Sequence, residues 1–204
     1  MSIFSRLFAA GADLAEGRGL GKLRAKLAAG VEGVVVEVGA GAGHSLSHYG
    51  PQVSEVIAIE PDPYLRSVAA QRATERVRVV EGAAENLPVA DGVADAVVFS
   101  LVLCSVNDQA AALAEAARVL RPGGRLHLLE HVVSPSNGLL RSVQRALDAS
   151  VWPRMFGGCH CARDTVAAVE AAGFTWQVLE PRNYPERPRL PVSPHVYAVA
   201  TRPS

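Results

Sequence analysis

The stretch Val34-Val-Val-Glu-Val-Gly-Ala-Gly-Ala-Gly43 sets four valines around one carboxylate and then places glycine at every second position. The apolar run is short and β-branched, as a strand buried on both faces requires, and the glycines permit a sharp turn that no side chain obstructs. Such a turn leaves bare amides facing whatever binds there. The segment is expected to lead a parallel sheet and to hold a nucleotide-type ligand at its carboxyl end.

Outward from it, short apolar runs alternate with helical stretches, the pattern of parallel strands joined by helical crossovers. Strands are expected over 34–38, 56–60, 77–81, 94–100, 125–132, 174–180 and 195–201. The fold class is therefore α/β: a seven-stranded, mostly parallel Rossmann-like sheet with helices on both faces and an antiparallel last strand. Asp62 before Pro63 marks a helix start, since aspartate caps free amides and proline lacks only an amide that would be unpaired there. A helix over 108–120 puts Leu113, Ala117 and Leu120 on one face and stops at Pro122-Gly-Gly124; another over 162–172 stops at Gly173. Pro185, Pro188, Pro191 and Pro194 leave no helix between the last two strands, which are expected to pair antiparallel at one edge. A helical segment at 1–30 precedes one domain at 31–204.

A chain of 204 residues holds one sizeable core, and 49% hydrophobic with 20% charged residues is an ordinary soluble composition. Twenty basic residues against twenty acidic ones leave no net field to gather nucleic acid or an anionic membrane, so no nucleic-acid partner is expected. Three cysteines cannot all pair and fit a reducing compartment, here taken as the cytoplasm. Arg6 and Asp13 interrupt the N-terminal apolar residues, so no signal-peptide core is expected. The most apolar run, 96–106, is far below the ~20 residues that span a bilayer.

A dinucleotide fingerprint G-x-G-x-x-G opening at Gly39 needs glycine at position 44, where His44 stands, and this disfavours a nicotinamide or flavin cofactor. The second strand ends at Glu60, seventeen residues past Gly43, where a carboxylate can accept both hydroxyls of a ribose. A solvated strand-end acid is the alternative for Glu60, and a structural buried carboxylate the alternative for Glu37.

Glu37-Val-Gly-Ala-Gly-Ala-Gly43, Glu60-Pro61, Gly82-Ala-Ala-Glu-Asn-Leu-Pro88, Asp91-Gly-Val-Ala-Asp95 and Arg118-Val-Leu-Arg-Pro-Gly-Gly124 resemble, in order and spacing, the successive motifs of class I S-adenosylmethionine-dependent methyltransferases. The resemblance runs from about residue 31 to the C-terminus and implies S-adenosylmethionine as cofactor, with 31–204 as the methyltransferase domain. It implies that Val38, Gly39, Ala40, Gly41 and Gly43 pass beneath the methionine and ribose parts, while Glu37 anchors that loop or holds the amino group through water. Glu60, followed by Pro61, would hold the ribose hydroxyls. Ala83 and Ala84 would lie beside adenine, and Ser100 and Leu101 near the methionine moiety. Relatives often carry aspartate at position 83; alanine here removes that side-chain bond and leaves the amide of Ala84.

After the fourth strand, the run from Phe99 to Asp108 lacks the Asn-Pro-Pro-aromatic tetrad that amino-methylases of nucleic acid use on a flipped base. Leu101-Val-Leu-Cys-Ser-Val106, Leu129-Glu-His131, Phe156-Gly-Gly-Cys159 and Pro194-His-Val-Tyr197 resemble the methyltransferase-like 7 group, which implies S-methylation of small alkyl thiols. That group begins with an apolar membrane anchor, for which no equivalent is expected here. Bacterial relatives of similar layout keep a phospholipid amine or a quinone-like molecule open as acceptor, and a binding module without turnover is a further alternative. A thiol of pKa ~8.5 gains from losing its proton before attack. His131, at the end of the fifth strand, is the first candidate base and His195 the second, a structural histidine being the alternative for each. His44 and His48 are expected to cap or pack, and His160 ranks below them.

Cys159-His-Cys161 supplies at most part of a tetrahedral site, and no second Cys/His pair stands at ligand spacing, so no metal is expected. Cys104 is expected in a pocket wall or the core. Ile3, Phe4, Leu7 and Phe8 form one apolar helical face; Leu139, Val143, Leu147 and Val151 form another, followed by Trp152, Met155 and Phe156. These faces are expected to cover the sheet. About half of the second is left to form a lid over a small apolar acceptor or to make a weak peripheral contact with a membrane. Nothing in the sequence bears on oligomeric state.

Overall fold

A computed structural model describes residues 3–135 and 138–202, and for 3–8 the backbone alone. The valines around Glu37 form β1 (Gly33–Val38), which lies between β2 (Val53–Ile59) and β4 (Ala94–Ser100) and runs parallel to both. β3 (Val77–Val80) pairs outside β2, and β5 (Leu120–His131) outside β4, again parallel. β7 (Pro194–Thr201) runs antiparallel between β5 and β6 (Thr175–Asn183), completing a seven-stranded sheet of order β3-β2-β1-β4-β5-β7-β6. The expected antiparallel pair is present, with β6 as the edge. Strand order reverses between β1 and β4, so the connections leaving their carboxyl ends part and open a crevice there.

Alternate side chains of the central strands feed two cores. Val36, Val38, Ile57, Ile59, Val97 and Phe99 pack with Leu113 and Ala116 of α4 (Gln109–Val119) and Val169 of α7 (Thr165–Ala171). Val35, Val56, Ala58 and Val98 face the other way, against Leu27 and Ala28 of α2 (Gly21–Ala29) and Ala69 of α3 (Pro63–Arg72). Each of the buried valines, leucines, isoleucines and the phenylalanine contributes about 1.5–3 kcal/mol relative to exposure, the alanines less. Helix α1 (Ile3–Ala15) joins α2 through a π turn at Glu16–Leu20.

Local chemistry sets the helix ends. The Asp62 carboxylate accepts the amides of Tyr64 and Leu65, both at 2.9 Å, and Asp108 accepts that of Ala111. Pro122-Gly-Gly124 does not precede β5 but lies inside it as a bulge: the register steps from Ala94–Leu120 to Ala96–Arg125, and Gly123 takes φ +76°. Helix α7 starts later than the expected 162, because the amides of Cys161 and Ala162 turn to the Asp148 carboxylate and Asp164 supplies the cap.

The expectation for the second apolar face is overturned. The stripe on α5 (Gly138–Asp148) and α6 (Trp152–Met155) does not cover the sheet: Leu139, Val143, Val151, Met155 and Phe156 are exposed, Leu147 is half-buried, and α5 buries Gln144 instead. The side chains of Ile3, Phe4, Leu7 and Phe8 lie outside the described residues. Among the described residues no helix is long and apolar enough to cross a membrane.

Candidate active site

The three glycines after β1 all take left-handed backbone angles, φ +66°, +56° and +80° at Gly39, Gly41 and Gly43. Their reasons differ. A Cβ on Gly39 would lie 2.6 Å from a Val102 methyl, and one on Gly43 2.9 Å from the Cα of Ala69. A Cβ on Gly41 would meet nothing within 4 Å. Two glycines thus let the protein's own elements close on the loop, and Gly41 opens onto a cavity of about 620 Å³ at the ends of β1, β2 and β4.

Glu60 is buried, and its two oxygens accept the amides of Gly41 at 2.8 Å and Asp62 at 2.9 Å. These bonds tie the second strand end to the glycine loop and leave lone pairs on both oxygens. Burial raises the Glu60 pKa against the pull of those amides. Glu37, on β1, is also buried and accepts the Tyr49 hydroxyl at 2.8 Å; burial raises its pKa, opposed by the Tyr49 and Ser45 bonds and the charge of Arg24. Arg24, on α2, donates from Nε to Ser100 Oγ at 3.3 Å and pairs with Glu16. It lines the same cavity, and no periodicity in 1–30 points to it.

S-adenosylmethionine fits these residues. The cavity lies in the ~300–1,000 Å³ range of small-molecule sites. Its wall offers an unobstructed backbone at Gly41, an acid with free lone pairs at Glu60, and opposed charges at Glu37 and Arg24. Val38, Gly39, Ala40, Pro61, Ala83, Ala84, Ser100 and Leu101 line it too, whereas Gly43 does not.

Beyond Ser100 the chain turns at Leu101, a non-glycine residue at φ +62°, and the following loop hangs on Glu130. The Glu130 carboxylate, fully buried near the end of β5, accepts the amides of Val102 (2.7 Å), Leu103 (3.0 Å) and Cys104 (3.3 Å). Burial nevertheless pushes its pKa up to about 7. Sequence reasoning missed this role, although an acid at the end of an apolar strand is the signal that singled out Glu37.

His131 faces the cavity, its Nδ1 3.4 Å from Cys159 Sγ, and Cys104 lines the same corner. The Cys159 thiol is shifted down by its bond with Cys104 and by His131, and the Cys104 thiol up by the same partner and by burial. His195 lies behind, outside the cavity lining, with its ring edge-on to His131 at 4.3 Å between centroids. Its Nδ1 donates to the Ser193 carbonyl at 2.8 Å, so Nε2 carries the lone pair, and burial holds its pKa down to about 3. His195 is thus a neutral packing neighbour of His131 and not a second base on the cavity.

Cys161 points away: its Sγ lies 3.3 Å from Asp148 Oδ1, and burial with that carboxylate pushes the thiol up to about 12. The neighbours Cys159 and Cys161 are therefore separated, and Cys159 is grouped with Cys104 and His131. His160 lies 3.7 Å from Asp148. His44 lines the cavity and bonds Asp13 at 2.7 Å, and His48 sits in a short 3-10 turn. Trp152 and Phe156 stack at 3.9 Å and form an apolar wall.

Residues 36–128 match the family described as "Methyltransferase domain". The chain is 37% identical over 174 residues to the thiol S-methyltransferase TMT1A of Homo sapiens, covering 82% of this chain and 70% of that protein. Against the thiol S-methyltransferase TMT1B of Rattus norvegicus the identity is 34% over 177 residues, with 84% and 71% covered. In three dimensions it is similar to an S-adenosylmethionine-dependent methyltransferase of Thermotoga maritima, described as a possible histamine N-methyltransferase, with TM-score 0.71, 22% identity and 98% of both chains covered.

Proposed function

Given that the chain belongs to the class I S-adenosylmethionine-dependent methyltransferases, we propose that its acceptor is a small apolar thiol, methylated on sulfur. The observation that carries this reading is the cavity lining, which adds the apolar side chains of Leu101, Val102, Trp152 and Phe156 and the imidazole of His131 to the residues that fit the cofactor. The similarity to thiol S-methyltransferases supports it.

S-adenosylmethionine supplies a methyl group already activated by its sulfonium. The chain's residues bind, align and dry the site, and alignment alone is worth ~7–11 kcal/mol of barrier. Gly41 leaves the loop backbone open to the cofactor, and Glu60 accepts ribose hydroxyls on its remaining lone pairs. Glu37 would hold the methionyl ammonium, and Arg24 the carboxylate, since both line the cavity with opposite charge. The indole of Trp152 and the ring of Phe156 exclude water, while His131 takes up the acceptor's proton. The odd count of three cysteines, which cannot all pair, supports a reducing, cytoplasmic compartment.

An acceptor panel tests the reading. With S-adenosylhomocysteine binding established by calorimetry, small alkyl thiols should be methylated in preference to phospholipid amines and quinones. Turnover confined to amines or quinones would sink the thiol assignment, and binding without turnover on any acceptor would make the protein a sensor.

A further inference from the structure

We propose that Cys104, His131 and Cys159 form a binding site for one zinc-type divalent cation, with a fourth coordination position open to the cavity for the acceptor sulfur. The open-position half of the proposal rests on the thiol reading above; the cation site does not.

The ligand atoms of the three residues all lie within 4.8 Å of one another, and His131 Nδ1 is 3.4 Å from Cys159 Sγ. Tetrahedral zinc, with Zn–S of ~2.3 Å and Zn–N of ~2.0–2.1 Å, sets neighbouring donors roughly 3.5 Å apart. The cluster therefore has nearly the span that such an ion needs before any ion is added. Two thiolates and an imidazole are soft to borderline donors, which select zinc-type ions over magnesium or calcium. Three protein ligands with a vacant fourth position is the arrangement of reactive zinc sites, not of purely structural ones. All three residues line the cavity, so an acceptor bound there is within reach of the fourth position.

Each ligand is also held in place by its surroundings. The Cys104 amide is bound by Glu130. His131 ends β5 in register with His195 of β7, whose ring packs against it. The segment carrying Cys159 is tied to the Cys104 loop by the His160 amide on the Cys104 carbonyl, at 2.8 Å. There the backbones approach so closely that a Cβ on Gly158 would sit 2.9 Å from the Ser105 carbonyl oxygen.

With the cation bound, His131 Nδ1 is a ligand, and the cation takes over from it the task of removing the thiol proton. The acceptor S–H bond breaks, its electron pair forms the sulfur–cation bond, and the proton passes to solvent, with no oxidant or reductant involved. Methylation converts the sulfur to a neutral thioether, a weaker ligand, which leaves and reopens the position.

The test uses the full chain, stripped with chelator and titrated with Zn²⁺ and Co²⁺. We expect one ion per chain and thiolate-to-cobalt absorption bands, lost in Cys104→Ser and Cys159→Ser, retained in Cys161→Ser, and shifted by a small alkyl thiol. Circular dichroism checks that each variant is folded, and the wild-type titration decides the matter if one is not. Absence of stoichiometric uptake by the wild type, or loss in Cys161→Ser with retention in Cys159→Ser, overturns the site. Bands unmoved by thiol, together with undiminished thiol methylation in excess chelator, overturn the open position and leave the thiol reading standing. A loaded site with no transfer to any thiol overturns the thiol reading and leaves the cation site.

Discussion

Gly41 and Gly43 are the same residue two positions apart, yet substitution should separate them. Alanine at Gly41 strains a φ of +56° by about 1–2 kcal/mol and sets a methyl group into the cavity. We expect Gly41→Ala to weaken S-adenosylhomocysteine about tenfold, equivalent to ~1.4 kcal/mol, with a modest fall in melting temperature. Gly43→Ala carries similar strain and drives a methyl group against the α3 backbone at Ala69, so it should cost about 2–4 kcal/mol of stability. Its folded fraction should bind S-adenosylhomocysteine nearly as the wild type does. Calorimetric titration and thermal melts on both variants check the pair; equal losses of affinity would refute the division of roles. The alternating glycines are plain in the sequence. Which of them meets the ligand is not, because that depends on Val102 and Ala69, 63 and 26 residues further along from Gly39 and Gly43.

Helix α5 inverts the usual relation between pattern and burial. Its apolar face meets solvent at Leu139 and Val143, while Gln144 is buried. The Gln144 amide accepts the Ser134 N–H at 2.8 Å and donates its two protons to the carbonyls of Cys161 and Pro191, both at 2.9 Å, with the Val132 carbonyl at 3.2 Å sharing one of them. One side chain thereby joins three loops, those of Ser134, Cys161 and Pro191. Gln144→Ala strands these buried groups and should cost about 2–3 kcal/mol, whereas Leu139→Ser should stay within about 0.5 kcal/mol. Urea unfolding measures both, and a larger loss at Leu139 would contradict this packing. Helical spacing revealed the stripe correctly but not its direction, since a period reports that a helix has two faces and not which one the tertiary structure covers.

At the scale of the whole molecule, buried ionisable groups make stability depend on pH. Burial puts the folded Glu130 pKa at about 7, against an ordinary glutamate value of 4.5. Between those values the unfolded chain has released the proton and the folded chain keeps it. Stability from Glu130 is therefore complete below about pH 4.5, falls as pH rises, and is lost above about 7, a change on the order of 3 kcal/mol. His127 and His195, held down to about 4 and about 3 by burial, act oppositely and lose stability as pH falls below 6.5. The difference between wild type and Glu130→Gln isolates the carboxylate. Relative to the variant, the wild type should lose stability between pH 5 and 7.5 in urea titrations, and a constant difference would rule the effect out.

The sequence by itself determined the strands, the sheet class, the glycine turn and the Glu37 and Glu60 positions, because these follow from local periods, turn chemistry and short spacings read along one chain. Only the tertiary structure decided which glycines line the cavity, that Glu130 suspends the loop after β4, that Arg24 joins the cavity, and that His195 stands behind His131. It also parted Cys159 from Cys161 and placed it beside Cys104, 55 residues away in the chain. The physical reason is common to all of them: a parallel sheet brings the ends of distant strands to one edge, and the contacts made there depend on which strands are neighbours, a relation that no local spacing records.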